Sequence, residues 1–272
     1  MSPGIRKAAV AGSFYPNNCR KLKAYFSKFN AAFDKIAVKK EILSIVPRAI
    51  IVPHAGYIYS GFTANFAYRF LKNSNPKRII VIGPSHHHYF KGISAGYFEH
   101  YETPCGNIEI DTPYLFALAK KFNIGFEPKA HQKEHSTEVQ MPFIKEYFPK
   151  AKVIELIYSD TSVSTLSHII TALLHNPENA VVISSDLSHF YPLHKAEVLD
   201  RHCLKAVATL DVSELKKGCE ACGITGIEAM ITAARKLDLS SKLLDYRTSA
   251  YVSKDTHSVV GYLSALFYKK QH

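Results

Sequence analysis

Short apolar runs rich in β-branched residues, separated by longer segments with helical spacing, constrain the fold of this chain more than any other feature. The run at 78–83 reads RIIVIG, and the run at 180–185 reads AVVISS. Runs of this length and composition are typical of strands that are buried on both faces of a sheet. We expect strands at residues 48–53, 78–83, 152–158, 180–185 and 258–268.

Between these runs, apolar side chains recur every three or four residues, which is the spacing of one helix face. Leu22, Phe26, Phe29 and Phe33 show this spacing. Strands that alternate with helices predict an α/β fold with a central, mainly parallel sheet flanked by helices. No linker rich in Pro, Gly or Ser divides the chain, so residues 1–272 are expected to form a single domain. Further helices are expected near residues 62–70, 112–122, 163–175, 195–209 and 225–237.

The formal net charge of +11 is a property shared with many nucleic-acid-binding proteins. Here the positive charge comes mostly from lysine and is spread along the chain, with only short clusters such as residues 35–40. Arginine, which suits phosphate better, is in the minority. We therefore expect a lysine-rich, solvated surface and no specific nucleic-acid partner.

The cysteines and the N-terminus bear on the cellular compartment. The N-terminal residues lack an apolar segment of secretory length, and no run approaches the roughly 18 apolar residues of a membrane span. The sequence thus predicts a cytoplasmic protein without a membrane partner, whose cysteines are free thiols rather than a disulfide framework. A lone C-x-x-C at 219–222 fits neither a zinc ribbon nor a thioredoxin-type motif. The five cysteines are Cys19, Cys105, Cys203, Cys219 and Cys222.

Three of the expected strands run into a histidine at the carboxyl end. The first is followed by PHAG at 53–56, the second by GPSHHH at 83–88, and the third by DLSH at 186–189. Ligands of open α/β sheets bind beyond the carboxyl ends of the strands. One histidine after one strand is usually a loop residue, but three in equivalent positions predict a metal site that contains His54, His86 and His189.

Imidazole ligands suit iron, copper and zinc, and such a site normally includes an anionic ligand as well. One option is a carboxylate from Asp186, Glu134 or Glu138. The other is the thiolate of Cys222, which lies just before an expected helix, where the pKa of a thiol is expected to be lowered. The residues alone leave this choice open.

The segment EHSTE at 134–138 has two interpretations. It contains a capping pattern around Ser136 and precedes apolar residues, so it could simply begin a helix. Alternatively, Glu134 or His135 reaches the same crevice and orients a metal ligand.

Six motifs occur in an order that resembles the Memo family, from about residue 8 to the C-terminus. They are AGSFYP at 11–16, PHAGY at 53–57, GPSHH at 83–87, EHS at 134–136, SSDLSH at 184–189 and ACG at 221–223. The resemblance implies a fold similar to the class III extradiol (LigB-like) non-heme iron dioxygenases. It also implies possible partners, because bacterial and archaeal Memo proteins accompany an AMMECR-type protein and a radical-SAM protein.

The resemblance further implies which residues form the site. Two histidines and a cysteine of the family's metal pocket match His54, His86 and Cys222, and Asp186 and His189 match residues that line it. A thiolate in place of the dioxygenases' carboxylate makes the site softer and favours Cu(I) or thiolate-bound iron. The motif around His135 is typical of the family.

Together these arguments predict a mononuclear metal centre, with Fe(II) as the expected ion and copper as the alternative, in a dioxygenase-like oxidoreductase. His189 is expected to act as acid or base with its orientation set by Asp186, and His135 is expected to assist. Tyr57 and Tyr59 are expected to form part of the wall. The alternative is a non-catalytic, metal-dependent binding or adaptor protein that acts with an AMMECR-type protein and a radical-SAM enzyme. The substrate, a small molecule or a peptide, is left open.

Overall fold

A computed structural model describes residues 4–270 and has a large twisted sheet at its centre, with a small sheet beside it. The strands are β1 (Ile5–Arg6), β2 (Pro47–Val52), β3 (Arg78–Pro84), β4 (Ile93–Ala95), β5 (His100–Tyr101), β6 (Ile108–Glu109), β7 (Lys152–Tyr158), β8 (Asn179–Ser184), β9 (His189–Tyr191), β10 (Ser240–Thr248) and β11 (Val259–Tyr268). The helices are α1 (Cys19–Phe33), α2 (Lys40–Leu43), α3 (Tyr57–Leu71), α4 (Thr112–Phe122), α5 (Pro128–Gln132), α6 (Met141–Tyr147), α7 (Val163–His175), α8 (Leu193–Thr209), α9 (Ile224–Lys236) and α10 (Ala250–Ser253). Short 3-10 helices occupy Lys72–Ser74, Glu138–Gln140 and Val212–Lys217.

The large sheet has the order β10-β11-β2-β8-β3-β7-β4, with β9 paired to β11. Its four central strands, β2, β8, β3 and β7, are parallel. Both edges are antiparallel, because β11 runs against β2 and β4 runs against β7. The prediction of a mainly parallel sheet therefore holds for the centre only, and the sheet as a whole is mixed. Strand β10 was missed because it is half-buried and polar, unlike the central strands.

The expected helices are present and flank the sheet, so the α/β class is confirmed. Helix α3 packs against β2 and β11, α8 packs against β10 and β11, and α7 and α9 pack against each other and against β8. Helix α1 packs on α3 through its apolar face, with Leu22, Phe26, Phe29 and Phe33 all buried as their spacing predicted. Among the helices within residues 4–270, none has both the length and the apolar character needed to cross a bilayer.

The expectation of free thiols is wrong for four of the five cysteines. Cys19 at the start of α1 is bonded to Cys105 in the loop between β5 and β6, and Cys203 in α8 is bonded to Cys219. The partners are 86 and 16 residues apart in sequence, so their pairing depends on the tertiary fold and leaves no local pattern. Closing loops of these lengths stabilises a fold by about 3 to 5 kcal/mol each in the chain-entropy description. Cys222 is the free cysteine.

Candidate metal centre

The three histidine-tipped strands end side by side. Strand β8 lies between β2 and β3, and all three are parallel. Val52 pairs with Ser184 in the register of β2 and β8, and the next amide, Ser185 N, donates to Val52 O at 2.9 Å. The loops after these strands therefore leave the sheet at one edge, as the sequence predicted.

His54 is buried and held in one tautomer. The Ser184 hydroxyl donates its single proton to Ser136 O and accepts hydrogen bonds from Gln140 Nε2 and from His54 Nδ1, the latter at 2.9 Å. Nδ1 of His54 therefore carries the proton, and the lone pair of Nε2 faces the Cys222 sulfur. Burial, followed by the neighbouring imidazoles of His86 and His135, lowers the pKa of His54 well below its usual value, so the ring is neutral.

His86 is oriented in the same way by a carboxylate. Glu134 accepts from His86 Nδ1 at 2.8 Å and from the backbone N of His86 at 2.6 Å. Burial opposes the charge on Glu134, but the bonds to His86 and the backbone amide of Ser136 outweigh it and lower the pKa of Glu134 to about 2. An ionised carboxylate only accepts, so His86 also carries its proton on Nδ1 and offers Nε2.

Cys222 lies in the loop before α9, with its Sγ 3.3 Å from His54 Nε2. The loop approaches the end of β8 closely, because a Cβ on Gly223 would lie 2.6 Å from the Ser185 Cβ. The expected lowering of the thiol pKa is wrong. Helix α9 begins at Ile224, and burial, with the nearby Asp186 carboxyl, raises the pKa of Cys222 to about 12.

These three side chains form a compact group of donor atoms. One ligand atom from each of His54, His86 and Cys222 lies within 4.8 Å of the others. Metal–nitrogen and metal–sulfur bonds of about 2.1 and 2.3 Å place such donors roughly 3 to 4 Å apart. Two unprotonated Nε2 atoms beside a sulfur are therefore suited to a transition metal, and small changes in position would complete the geometry.

The third imidazole of the cluster is His135, not His189. The His135 ring centroid lies 4.4 Å from that of His86 and 5.4 Å from that of His54. His86, Glu134 and His135 also form a second group of donor atoms within 4.8 Å. His189, the first residue of β9, lies outside both groups and lines the cleft above them. The rings of His54, His86 and His135 therefore pack together, whereas His189 belongs to neither donor group, and the expected convergence of His54, His86 and His189 on one point is not seen.

The imidazoles of His135 and His189, which do not belong to the group of His54, His86 and Cys222, are uncharged at neutral pH. Burial, with the neighbouring His86, lowers the pKa of His135 to about 4. Burial also lowers the pKa of His189, although a hydrogen bond with the backbone of Leu187 opposes this effect. Both rings can therefore accept a proton.

Asp186 interacts with His54 and not with His189, contrary to the sequence-based expectation. Its Oδ1 accepts from the backbone N of His54 at 2.7 Å, and its Oδ2 lies 4.0 Å from His54 Nε2. Burial raises the pKa of Asp186 to about 7. Asp186 therefore fixes the loop that carries His54 and lies beside the donor group.

The segment at 134–138 supports the site and does not begin an α-helix. Ser136 Oγ donates to Pro84 O instead of capping, and a 3-10 helix follows from Glu138. A Cβ on Gly83 would lie 2.6 Å from Ser136 Oγ, so the segment packs directly on β3. Glu138 is not available as a metal ligand, because its carboxylate binds Arg6, the backbone amides of Ala9 and Val10, and the Tyr15 hydroxyl.

A cleft of about 500 Å³ opens above the donor atoms. His135, Asp186 and His189 are among its lining residues, and six further lining residues come from the 249–262 region. Tyr59 lines the cleft, whereas Tyr57 is buried in the core with its hydroxyl on Val139 O. Sequence reasoning missed Ser184, Gln140, Phe14, Phe190, Asp255 and Tyr262. Of these, Phe14 and Ser184 lay within motifs that could have indicated them, AGSFYP at 11–16 and SSDLSH at 184–189.

Comparison with known proteins gives the family of this chain. A family model described as Memo-like protein matches residues 6–266. A MEMO1 family protein of Thermoplasma volcanium is 32% identical over 268 residues, covering 96% of this chain and 97% of the relative. MEMO1 family proteins of Aquifex aeolicus and Nitrosopumilus maritimus are 31% and 29% identical, covering 97% and 95% of this chain and 99% and 98% of those relatives. This chain therefore belongs to the Memo family.

Proposed function

We propose that this chain binds one transition-metal ion, iron or copper, through His54, His86 and Cys222, and acts as an oxidoreductase. The observation that carries the proposal is the pair of unprotonated Nε2 atoms beside a sulfur, with each imidazole locked in the required tautomer by Ser184 or Glu134. Locked tautomers of this kind are typical of metal-binding histidines. The soft thiolate supports Cu(I) or Fe(II), and Fe(II) is our first choice.

The chain's own residues would bind substrate and move protons. A redox-active ion, when bound, supplies an open coordination position and an electron source beside the cleft. His135 and His189 line that cleft as neutral imidazoles, so either can take a proton from a bound substrate at a ring nitrogen. Asp186 keeps the His54 loop in place and, with a pKa near 7, can exchange a proton as well.

Metal analysis of the purified chain after anaerobic loading with Fe(II), and separately with Cu(I), tests the proposal. We expect about one ion per chain in the wild type and little in His54→Ala and Cys222→Ala. His88→Ala is the matched control, because His88 follows the same strand end but is outside the donor group. Co(II) loading should give a thiolate charge-transfer band that Cys222→Ser abolishes. Equal metal content in all variants would rule out this donor set.

A metal-dependent binding protein without turnover is the second candidate. The cleft is open to solvent and has room for a peptide side chain as well as a small molecule. In this case the partners would be an AMMECR-type protein and a radical-SAM enzyme. Oxygen uptake separates the candidates: Fe(II)-loaded chain exposed to air with candidate phenols and thiols should consume oxygen above the metal-free control if it is an enzyme. A rate equal to the control with all substrates favours the binding protein.

The cytoplasmic location remains part of this proposal, as does the lack of a specific nucleic-acid partner. Two disulfides are unusual for most cytosolic proteins, but they are common in the cytosol of hyperthermophiles. Gel shifts that disappear at moderate salt without sequence preference would be expected from charge alone.

A further inference from the structure

The walls of the cleft differ in charge from the rest of the molecule. Two carboxyl side chains, Asp186 and Asp255, line the cleft, and within residues 4–270 neither a lysine nor an arginine does so. The chain as a whole has 34 lysines and arginines and a net charge of +11. A cleft with carboxyl groups and without basic side chains favours a cationic ligand over an anionic one.

Aromatic rings form much of the remaining lining. Phe14, Tyr59, Phe190 and Tyr262 come from four separate segments of the chain and line the same cleft. The face of an aromatic ring attracts cations, and cages of several rings are a common way to bind methylated ammonium groups. Rings together with carboxyl groups therefore match an organic cation better than a neutral or anionic ligand.

The conformation of Phe190 supports a role in ligand binding. Phe190 lies in β9 beside His189, has a φ of 64°, and is 75% exposed. Bulky residues rarely adopt this left-handed backbone conformation. An exposed ring in a strained backbone adds little to the stability of the fold, and strain of this kind is typical of functional sites.

Asp255 has one carboxylate oxygen that accepts no hydrogen bond from the described residues. Its Oδ1 accepts from the backbone N of His257 at 2.8 Å, which fixes the side chain in its turn. Its Oδ2 has no hydrogen-bond partner in the described part of the chain. A fixed carboxylate with one open oxygen suits an ammonium group in the cleft.

We propose that the cleft binds an organic ammonium group, so that the natural ligand of this site carries an amine or a methylated amine. The cation lies against the rings of Phe190 and Tyr59 and is balanced by Asp255. This inference rests on the proposed function only in placing that ligand beside the metal centre. A divalent ion at the centre would be largely balanced by the Cys222 thiolate and the Asp186 carboxyl, so it would not exclude the ammonium group.

Choline and its neutral carbon isostere, 3,3-dimethylbutan-1-ol, test the inference because they have the same shape and differ in charge. Affinities for the full chain are measured by ligand-observed NMR and calorimetry, with the protein metal-free and Fe(II)-loaded under anaerobic conditions. We expect choline to bind about tenfold more tightly than the alcohol in both forms. Equal affinities, tighter binding of the alcohol, or no binding of choline in either form would overturn the inference.

Variants connect the preference to the named side chains. Asp255→Asn and Phe190→Leu should each weaken choline binding several-fold and leave binding of the alcohol nearly unchanged. The matched controls, Asp34→Asn and Phe116→Leu, alter exposed residues of the same types outside the cleft and should have no effect. Unchanged choline affinity in Asp255→Asn and Phe190→Leu would count against the inference. A chain that binds choline but no metal would overturn the proposed function alone, and the opposite result would overturn this inference alone.

Discussion

Two histidine–glutamate pairs of this chain have the same local chemistry and differ in what their second ring nitrogen contacts. His86 Nδ1 is bonded to Glu134 at 2.8 Å, and His131 Nδ1 is bonded to Glu155 at 2.7 Å. Both glutamates are fully buried. The Nε2 atom of His131 is bonded to Ser94 Oγ at 2.7 Å, whereas that of His86 is free beside His54 and Cys222.

The His131–Glu155 pair, in which both ring nitrogens are bonded within the protein, is the closed pair. It shows that a hydrogen-bonding pattern known from active sites does not by itself make a site. Ser94, His131 and Glu155 follow the bond order of a serine-hydrolase triad. All three are at most 1% exposed, and Ser94 Oγ also accepts from the backbone N of Glu127. Every polar atom of this trio is satisfied within the protein, so its role is structural. The His86–Glu134 pair is the open pair, because the Nε2 lone pair of His86 has no hydrogen-bond donor among the described residues and lies at the base of a cleft.

Replacing His131 should lower stability and leave metal content unchanged, whereas replacing His86 should lower metal content and change stability much less. This difference is the largest effect that we expect. His131→Ala leaves a cavity and removes the donor to the fully buried Oε2 of Glu155, so it should lower the free energy of unfolding by about 2–5 kcal/mol. His86→Ala should cost much less, because that side chain is 26% exposed and Glu134 keeps three backbone partners.

Urea unfolding and metal analysis of the folded protein measure both quantities. His131→Ala should retain its metal, and His86→Ala should lose it. Similar losses of stability in the two variants would show that the pairs do not differ as described.

Replacing the carboxylate of the open pair should have an intermediate effect. Both oxygens of Glu134 accept N–H bonds, and Glu134→Gln turns one of them into an NH2 donor, so the hold on His86 weakens and metal affinity should fall by about 10- to 100-fold. Glu127→Gln is the matched control, since Glu127 lies 3.5 Å from His88 just outside the donor group. Competition with a chelator of known affinity gives the values. Equal affinities in the two variants would mean that Glu134 does not orient His86.

Two serine variants should give the smallest difference. Ser184→Ala removes the acceptor for His54 Nδ1 and should weaken metal binding by about tenfold. Ser94→Ala removes the hydroxyl that donates to His131 Nε2 and should leave metal binding unchanged while lowering stability by about 1–2 kcal/mol. The same chelator competition checks both. A loss of metal affinity in Ser94→Ala would contradict the separation of the two pairs.

The parts of the site that the sequence predicted are those attached to regular elements. His54 and His86 follow apolar strands of a parallel sheet, and the carboxyl ends of such strands meet at one edge. The anionic partner stayed open on residues alone, because Cys222 comes from a loop far along the chain. It was the resemblance to the Memo family that indicated it.

The remaining features depend on contacts that have no sequence pattern. The His135 ring lies beside those of His54 and His86 because the segment at 134–138 packs directly on β3, which no spacing reveals. The disulfides join residues that the fold alone brings together. The part of the cleft lining at 249–258 was missed for the same reason as β10, because these segments are polar and lack a regular apolar spacing, whereas Val260 and Tyr262 lie in a strand that was predicted without its role in the cleft.

The Cys203–Cys219 bond ends only three residues before Cys222, and this position matters for handling the protein. A reductant that protects the Cys222 sulfur from oxidation to sulfenic or sulfinic acid also opens that bond. The loop that carries the sulfur then loses its covalent attachment to α8. Samples stored with and without dithiothreitol therefore differ at this loop. With the reductant, the Cys222 sulfur stays reduced but the Cys203–Cys219 bond is open. Without it, the bond is intact and the sulfur is unprotected against oxidation by peroxide.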